Sequence, residues 1–234
     1  MKIPKLLSHS YTPYSGKQEL AVVKSKDGKY FPGVRIENAS FPLTITAAQN
    51  ALFCCLSEGH QPEELAATNI EDPQLPFWEE ELGIEISELK INDLPDFDFA
   101  DLRLEKSIEP KTTLSDLLGK AIVNESNFPV AALVETENGY FSGVNIECTS
   151  WNMGLCAERV ALAKALTYNS TKLKKLYIHT SKGEFSSPCG ACRQVIIEHM
   201  SGRQVHLHHA DHSESVHFAD DLLPYGFHSS SLTE

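Results

Sequence analysis

The chain has no run of about eighteen apolar residues, so no helix in it is expected to span a membrane. A secretory leader pattern is missing too: Met1-Lys2-Ile3-Pro4-Lys5-Leu6-Leu7 is too short and too polar for one. Positive charge is scarce. Lys and Arg number 20 against 32 Asp and Glu, a net charge of −12. Such a surface repels a phosphate backbone, which argues against a nucleic-acid partner while leaving a local basic groove open. A disulfide framework is also lacking. The 6 cysteines show one metal-type spacing and no second spaced pair, which suits a reducing, cytoplasmic setting. What is present is 234 residues, 41% hydrophobic, with Pro and Gly scattered. That is enough for one large or two small packed domains.

Those residues contain a repeat. Ala21, Tyr30, Phe31, Gly33, Val34, Ile36, Glu37, Ser40, Ala47, Ala51, Leu52 and Leu56 return 110 positions later as Ala131, Tyr140, Phe141, Gly143, Val144, Ile146, Glu147, Ser150, Ala157, Ala161, Leu162 and Leu166. No gap is needed between the first and last of these, so the chain reads as two copies of one domain. Each copy reads strand, turn, strand, helix. Val130 to Val134 is apolar, Glu137-Asn138-Gly139 is a hairpin turn, and Tyr140 to Ile146 returns. Lys175 to His179 and Gln204 to His208 supply two further strands. The class is therefore α/β, with tandem domains that each pack helices on both faces of a mixed sheet. Residues 1–100 form the first domain and 113–234 the second. The charged, Pro110-containing stretch 101–112 is read as a linker, with a capped helix opening at Thr113.

Chemistry concentrates in the second copy, in Gly154-Leu155-Cys156-Ala157-Glu158-Arg159 and Ser187-Pro188-Cys189-Gly190-Ala191-Cys192-Arg193. A catalytic Zn²⁺ takes three protein ligands and keeps a fourth position for water. Cys156, Cys189 and Cys192 are the right number. Glu158, two residues past a ligand, is placed to shuttle protons for a zinc-bound hydroxide without holding the metal. Zinc deaminases carry this pattern of Cys or His, one residue, Glu, then Pro-Cys-x-x-Cys. Cys-x-x-Cys alone also fits a redox pair or half of a structural zinc site. A structural site needs four protein ligands, however, and Cys54, Cys55 and Cys148 form no second pair. The run Ala157-Val160-Ala161-Ala163-Leu166 puts Cys156 at a helix start, and Pro188 reads as the first turn of another. Three thiolates and Zn²⁺ sum to a charge of −1, which two helix N-termini and the full charge of Arg159 would offset.

Together with Asn127-Phe128-Pro129-Val130, Gly143-Val144-Asn145-Ile146-Glu147 and the tail Leu222-Leu223-Pro224-Tyr225-Gly226-Phe227, these motifs make the second copy resemble cytidine deaminase. The resemblance implies hydrolytic deamination of cytidine and deoxycytidine to uridine and deoxyuridine in pyrimidine salvage, with one Zn²⁺ per chain. It implies that Asn145 and Glu147 hold the ribose, that Phe128 stacks on the pyrimidine, that the backbone of Ala157 meets the base carbonyl, and that Phe227 reaches toward an active site. Asn145 and Glu147, two apart on a strand, do leave the same face. It also implies a homodimer of four domains that imitates a tetramer of single copies. Other readings are a superfamily deaminase acting on another amine and a non-enzymatic zinc-stabilised interaction module.

The first copy departs from the pattern. Cys156, Glu158 and Arg159 become Thr46, Ala48 and Gln49, and aligning Pro73 with Pro188 puts Gln74 and Phe77 at Cys189 and Cys192. Cys54 and Cys55 match no ligand position and read as buried small hydrophobes. The first copy keeps Asn38-Ala39-Ser40-Phe41, a segment the family uses to line a neighbouring pocket, where the second has Cys148-Thr149-Ser150-Trp151. This segment is expected to wall an active site. The C-terminal histidines are expected to form an exposed strand and loop rather than a second metal site.

Overall fold

A computed structural model describes residues 3–91, 97–227 and 232. The chain divides into two compact units that are not cut at one point. The first comprises 1–37, 44–101 and 166–169; the second comprises 38–43, 102–165 and 170–234. Two short segments thus fold with the half opposite to their own place in the sequence.

In the first unit, β1 (Leu20–Ser25) pairs antiparallel with β2 (Tyr30–Val34) and with β3 (Pro62–Ala67), and β4 (Glu85–Glu88) runs parallel to β3, giving the order β2-β1-β3-β4. Helix α1 (Ile3–Leu7) precedes this sheet, and helix α2 (Ala47–Ser57) packs on β2 through Gly33. A Cβ on Gly33 would stand 2.1 Å from the Ala51 nitrogen and 2.6 Å from the Ala47 carbonyl, so nothing larger than hydrogen fits between strand and helix. Helix α3 (Leu75–Leu82) follows, ending on Gly83 in the left-handed conformation at φ 61°.

The second unit repeats this plan with more strands. Its sheet runs β10-β9-β8-β6-β7-β5, from β5 (Arg103–Leu104), β6 (Val130–Thr136), β7 (Gly139–Val144), β8 (Leu173–Thr180), β9 (Gln204–His208) and β10 (Glu214–Phe218). Only β8 and β9 pair in parallel. Every residue of β7 is buried, as are all but two of β6, because helices cover both sides. On one side α4 (Pro110–Leu117) sets Leu114 and Leu117 against Ala131, Leu133, Tyr140, Val144 and Tyr177. On the other, α5 (Ala157–Thr167) rests on Gly143, where a Cβ would lie 2.2 Å from the Ala157 carbonyl and 2.5 Å from the Ala161 nitrogen. Gly33 and Gly143 therefore do the same job against helix positions that are also 110 apart. Helix α6 (Gly190–Met200) completes the unit.

Several expectations are corrected here. The stretch 101–112 is not a bare linker: Arg103 and Leu104 pair with Phe141 and Tyr140 as an edge strand. The following helix opens at Pro110 rather than Thr113, because the Glu109 carboxylate accepts from the N–H groups of Lys111 and Thr112, and proline at the first turn needs no hydrogen bond. Likewise α6 starts after Pro188, with Cys189 at its cap position. The histidine strand is not exposed as expected: His208 and His209 are buried, with Tyr177 stacked on His208 and Phe185 on His209, while His212 in the following turn is exposed.

Candidate metal centre and substrate cavity

Each ligand cysteine sits at a helix start for a local reason. Beyond β7, Ile146 and Leu155 exchange two backbone hydrogen bonds of 3.0 Å, which pins the chain just before Cys156. Gly154 permits this approach, since a Cβ there would meet the Ile146 carbonyl at 2.7 Å. The Cys156 carbonyl then accepts the Arg159 N–H at 3.1 Å and opens α5. Cys189 caps α6 with extended backbone (φ −66°, ψ 168°). The loop before it is clamped by Arg193, whose Nε donates to the Pro188 carbonyl at 2.8 Å and whose Nη2 donates to Ser187 Oγ at 2.6 Å.

These elements bring Cys156, Cys189 and Cys192 together, their sulfurs all within 4.8 Å of one another. Among the described residues no other group of three or more His, Cys, Asp or Glu side chains could hold a metal ion. The Cys156 and Cys189 sulfurs are 3.7 Å apart. Two ligands of a tetrahedral zinc at a Zn–S distance of about 2.3 Å stand about 3.8 Å apart, so the spacing fits. The electrostatics agree. Hydrogen bonds from Cys156 and Cys192, and N–H groups of the α6 start, pull the Cys189 thiol down to about 2, a thiolate at any working pH. Cys156 is in turn pushed up to about 12, chiefly by its hydrogen bond with Cys189, and Cys192 is raised chiefly by its hydrogen bond with Cys156 and then by that with Cys189. A metal ion takes thiolates as ligands, so binding one here would be accompanied by proton release.

Glu158 is 3% exposed. Burial lifts its carboxyl to about 7, with the charge of Cys189 adding to the lift while its own backbone N–H, Cys192 and Arg159 oppose it. A carboxyl near 7 can both take and give a proton at neutral pH. Arg159 lies on the same turn. Burial lowers its guanidinium, and the charges of the three cysteines and Glu158 act against that lowering. Its Nη2 donates to the Leu43 carbonyl at 3.0 Å.

Cys156, Cys189 and Glu158 open into a cavity of about 440 Å³, in the size range of small-molecule sites. Phe128, Asn145 and Glu147 line it. Asn145 holds its rim in shape: Oδ1 accepts from the Val130 N–H at 2.8 Å and Nδ2 donates to the Phe128 carbonyl at 3.0 Å. Glu147 accepts from the N–H groups of Glu125 and Ser126 at 2.9 and 3.1 Å, and from the Ser126 hydroxyl. Both side chains are thus spoken for in part by their own rim. Ala157 is buried behind the sulfurs and does not line the cavity with its side chain. Phe227 and Phe41 are not among the lining residues of this cavity either; Phe227 gives its carbonyl to Gln194 Nε2 at 2.7 Å.

Sequence reasoning missed part of the wall. Trp151, Thr180, Phe185 and Ser186 line the cavity as well. Ser186 is fixed by the buried histidines, its N–H facing His209 Nδ1 at 3.1 Å and its hydroxyl donating to the His208 carbonyl at 2.8 Å, while Phe185 stacks on His209 at 4.4 Å. The histidine-rich strand was the available signal, but only its burial reveals the role.

The first unit holds contrasting contacts. Thr46, at the position of Cys156, donates from Oγ1 to Gln74 Oε1 at 3.1 Å, and Gln74 is the cap residue of α3 just as Cys189 caps α6. Arg35, at the position of Asn145, pairs with Glu37 at 3.1 Å and Glu19 at 3.6 Å. A neutral hydrogen bond stands where the second unit has two sulfurs, and an ion pair stands where it has the asparagine.

A family model for the cytidine and deoxycytidylate deaminase zinc-binding region matches residues 110–208. Over 120 residues the chain is 37% identical to a cytidine deaminase of Mycoplasma genitalium, a match covering 50% of this chain and 92% of that one. It is 36% identical over 116 residues to a cytidine deaminase of Sporosarcina psychrophila, covering 49% and 85%. Among solved structures, cytidine deaminase from Burkholderia pseudomallei matches at 33% identity over 50% of this chain and 94% of that one, with a TM-score of 0.47. A cluster of three cysteines that fits a zinc ion, with a buried carboxyl two residues past the first of them, is the class of site this is. The chain belongs to the cytidine deaminase family.

Proposed function

We propose that the chain hydrolyses cytidine and deoxycytidine to uridine and deoxyuridine, releasing ammonia, as a step of pyrimidine salvage in the reducing cytoplasm. The observation that carries this reading is Glu158, buried and held near 7, near three clustered cysteines of which Cys156 and Cys189 line the cavity with it. One Zn²⁺ per chain, held by Cys156, Cys189 and Cys192, would supply a Lewis acid that makes water a nucleophile at neutral pH. Glu158 takes a proton from the attacking water and delivers it to ring N3, then takes the proton of the new C4 hydroxyl as the carbonyl forms and gives it to the departing amine. Phe128 offers a ring face to the pyrimidine, and the Ala157 N–H is assigned to the base carbonyl. Asn145 and Glu147, on the opposite rim, are assigned to the ribose hydroxyls, with the acceptor capacity that the rim bonds leave on the Glu147 carboxylate. Residues 113–234 are the catalytic copy, and 1–100 are a degenerate copy whose Thr46–Gln74 bond replaces the metal.

Product analysis over a panel of cytidine, deoxycytidine, cytosine, adenosine and amino-sugar antibiotics, with and without a chelator, tests this. Uridine formed from cytidine and stopped by the chelator is expected. Turnover of a different amine alone would point to another member of the deaminase superfamily, and zinc binding without turnover to an interaction module.

A further inference from the structure

Residues 38–43 precede α2 in the sequence yet fold with the second unit. Both helices that carry metal ligands contact this six-residue segment. At its start the Ala39 N–H donates to Glu198 Oε2 at 2.8 Å, and Glu198 lies on α6, two turns beyond Cys192. At its end the Leu43 carbonyl accepts from Arg159 Nη2 at 3.0 Å, and Arg159 lies on α5, three residues beyond Cys156. Between these ends the segment is stiffened. Asn38 Oδ1 accepts from the Ser40 N–H at 2.9 Å, and the Leu43 N–H returns to the Ser40 carbonyl at 2.8 Å, closing a 3₁₀ turn over Phe41–Leu43. Asn38 and Ala39 are buried, while Phe41 is 82% exposed and contributes little packing. The two hydrogen bonds to α5 and α6 therefore sit at the two ends of the segment, on either side of the exposed Phe41.

We propose that residues 38–43 are a strap of the metal centre, in which Glu198 is a positioning residue that anchors the strap and the Leu43 carbonyl aims Arg159 at the thiolate triad. This rests on the zinc reading above. Arg159 is the basic residue in the first turn of α5 and feels the charges of all three sulfurs, whose zinc complex would carry a net −1, and its Nη2 donates to the Leu43 carbonyl. A guanidinium can neutralise the triad only if it is held in place, and here a segment from the other half of the sequence holds it. Residues that hold a metal site in place from outside its ligands change metal affinity by about 10- to 100-fold when removed.

The test is zinc release to a colorimetric chelator from the full-length zinc-loaded protein, whatever its activity. Glu198→Ala should release zinc about 10-fold faster than wild type, while Glu198→Gln, which keeps a carbonyl acceptor for the Ala39 N–H, should stay near the wild-type rate. Arg159→Gln should release zinc at least as fast as Glu198→Ala. Adding Glu198→Ala to Arg159→Gln should change little more, since both act through one path. Wild-type release from Glu198→Ala, or effects of the two substitutions that multiply in full, would overturn the strap. A wild-type chain that holds zinc but deaminates nothing would overturn the proposed function and leave this measurement intact.

Discussion

Residue by residue, the second copy places its polar groups where burial changes what they do. Glu158 and Cys189 show it at the metal centre, and His199 shows it away from there. His199 is on α6, and burial lowers its imidazole from 6.5 to about 4. Below pH 6.5 the unfolded chain takes up a proton that the folded chain refuses until about pH 4. The stability this group contributes is therefore complete above pH 6.5 and lost as pH falls toward 4. A His199→Leu variant should show a shallower loss of melting temperature between pH 6.5 and 4 than wild type; equal slopes would show that the ring is not held neutral. The grouping of Cys156, Cys189 and Cys192 near a buried Glu158 was legible in the sequence, because spacing and residue type mark it. His209 and Ser186 were not: a histidine's role depends on what surrounds it, and the Phe185 ring and Ser186 N–H that meet His209 come from a distant loop that no periodicity in the sequence announces.

Among elements, the crossing of β7 and α5 decides where Cys156 stands. The repeat already marked Gly33 and Gly143 as equivalent, and the clash distances supply the reason. Gly143→Ala would drive a methyl into helix backbone that cannot move without carrying Cys156 with it. It should cost at least about 2 kcal/mol of stability and reduce the zinc bound per folded chain. Gly33→Ala should cost about as much stability while leaving the zinc of surviving folded protein unchanged. Equal zinc loss in both variants, measured by elemental analysis of folded fractions, would contradict the element-level account. The α/β class and four strands of the second unit were legible from apolar runs and turns. The edge strand β5 and the true start of α4 were not, because two paired residues and a glutamate cap lie inside a stretch whose composition reads as a linker.

For the whole molecule, sequence order and structural unit do not coincide, since 38–43 and 166–169 each fold with the opposite half. Cutting the chain down to 102–234 removes the strap, so that fragment should retain zinc less well than the full chain; equal retention in a chelator assay would count against the strap's role. The proposed assembly is a homodimer with two zinc ions, one per chain, since the first unit offers Thr46 and Gln74 where ligands would be. Light scattering combined with metal analysis should give twice the 26.0 kDa chain mass and one zinc per chain, while a monomer or two zinc ions per chain would contradict it. The central claim is that Glu158 moves protons for a zinc-dependent hydrolysis. Ammonia and uridine released from cytidine should appear in equal amounts with the wild-type chain. Glu158→Gln, at unchanged zinc content and unchanged melting temperature, should lower that rate by at least about 100-fold. A Glu158→Gln protein that deaminates cytidine at the wild-type rate, or a zinc-replete wild type that releases no ammonia from it, would contradict the account.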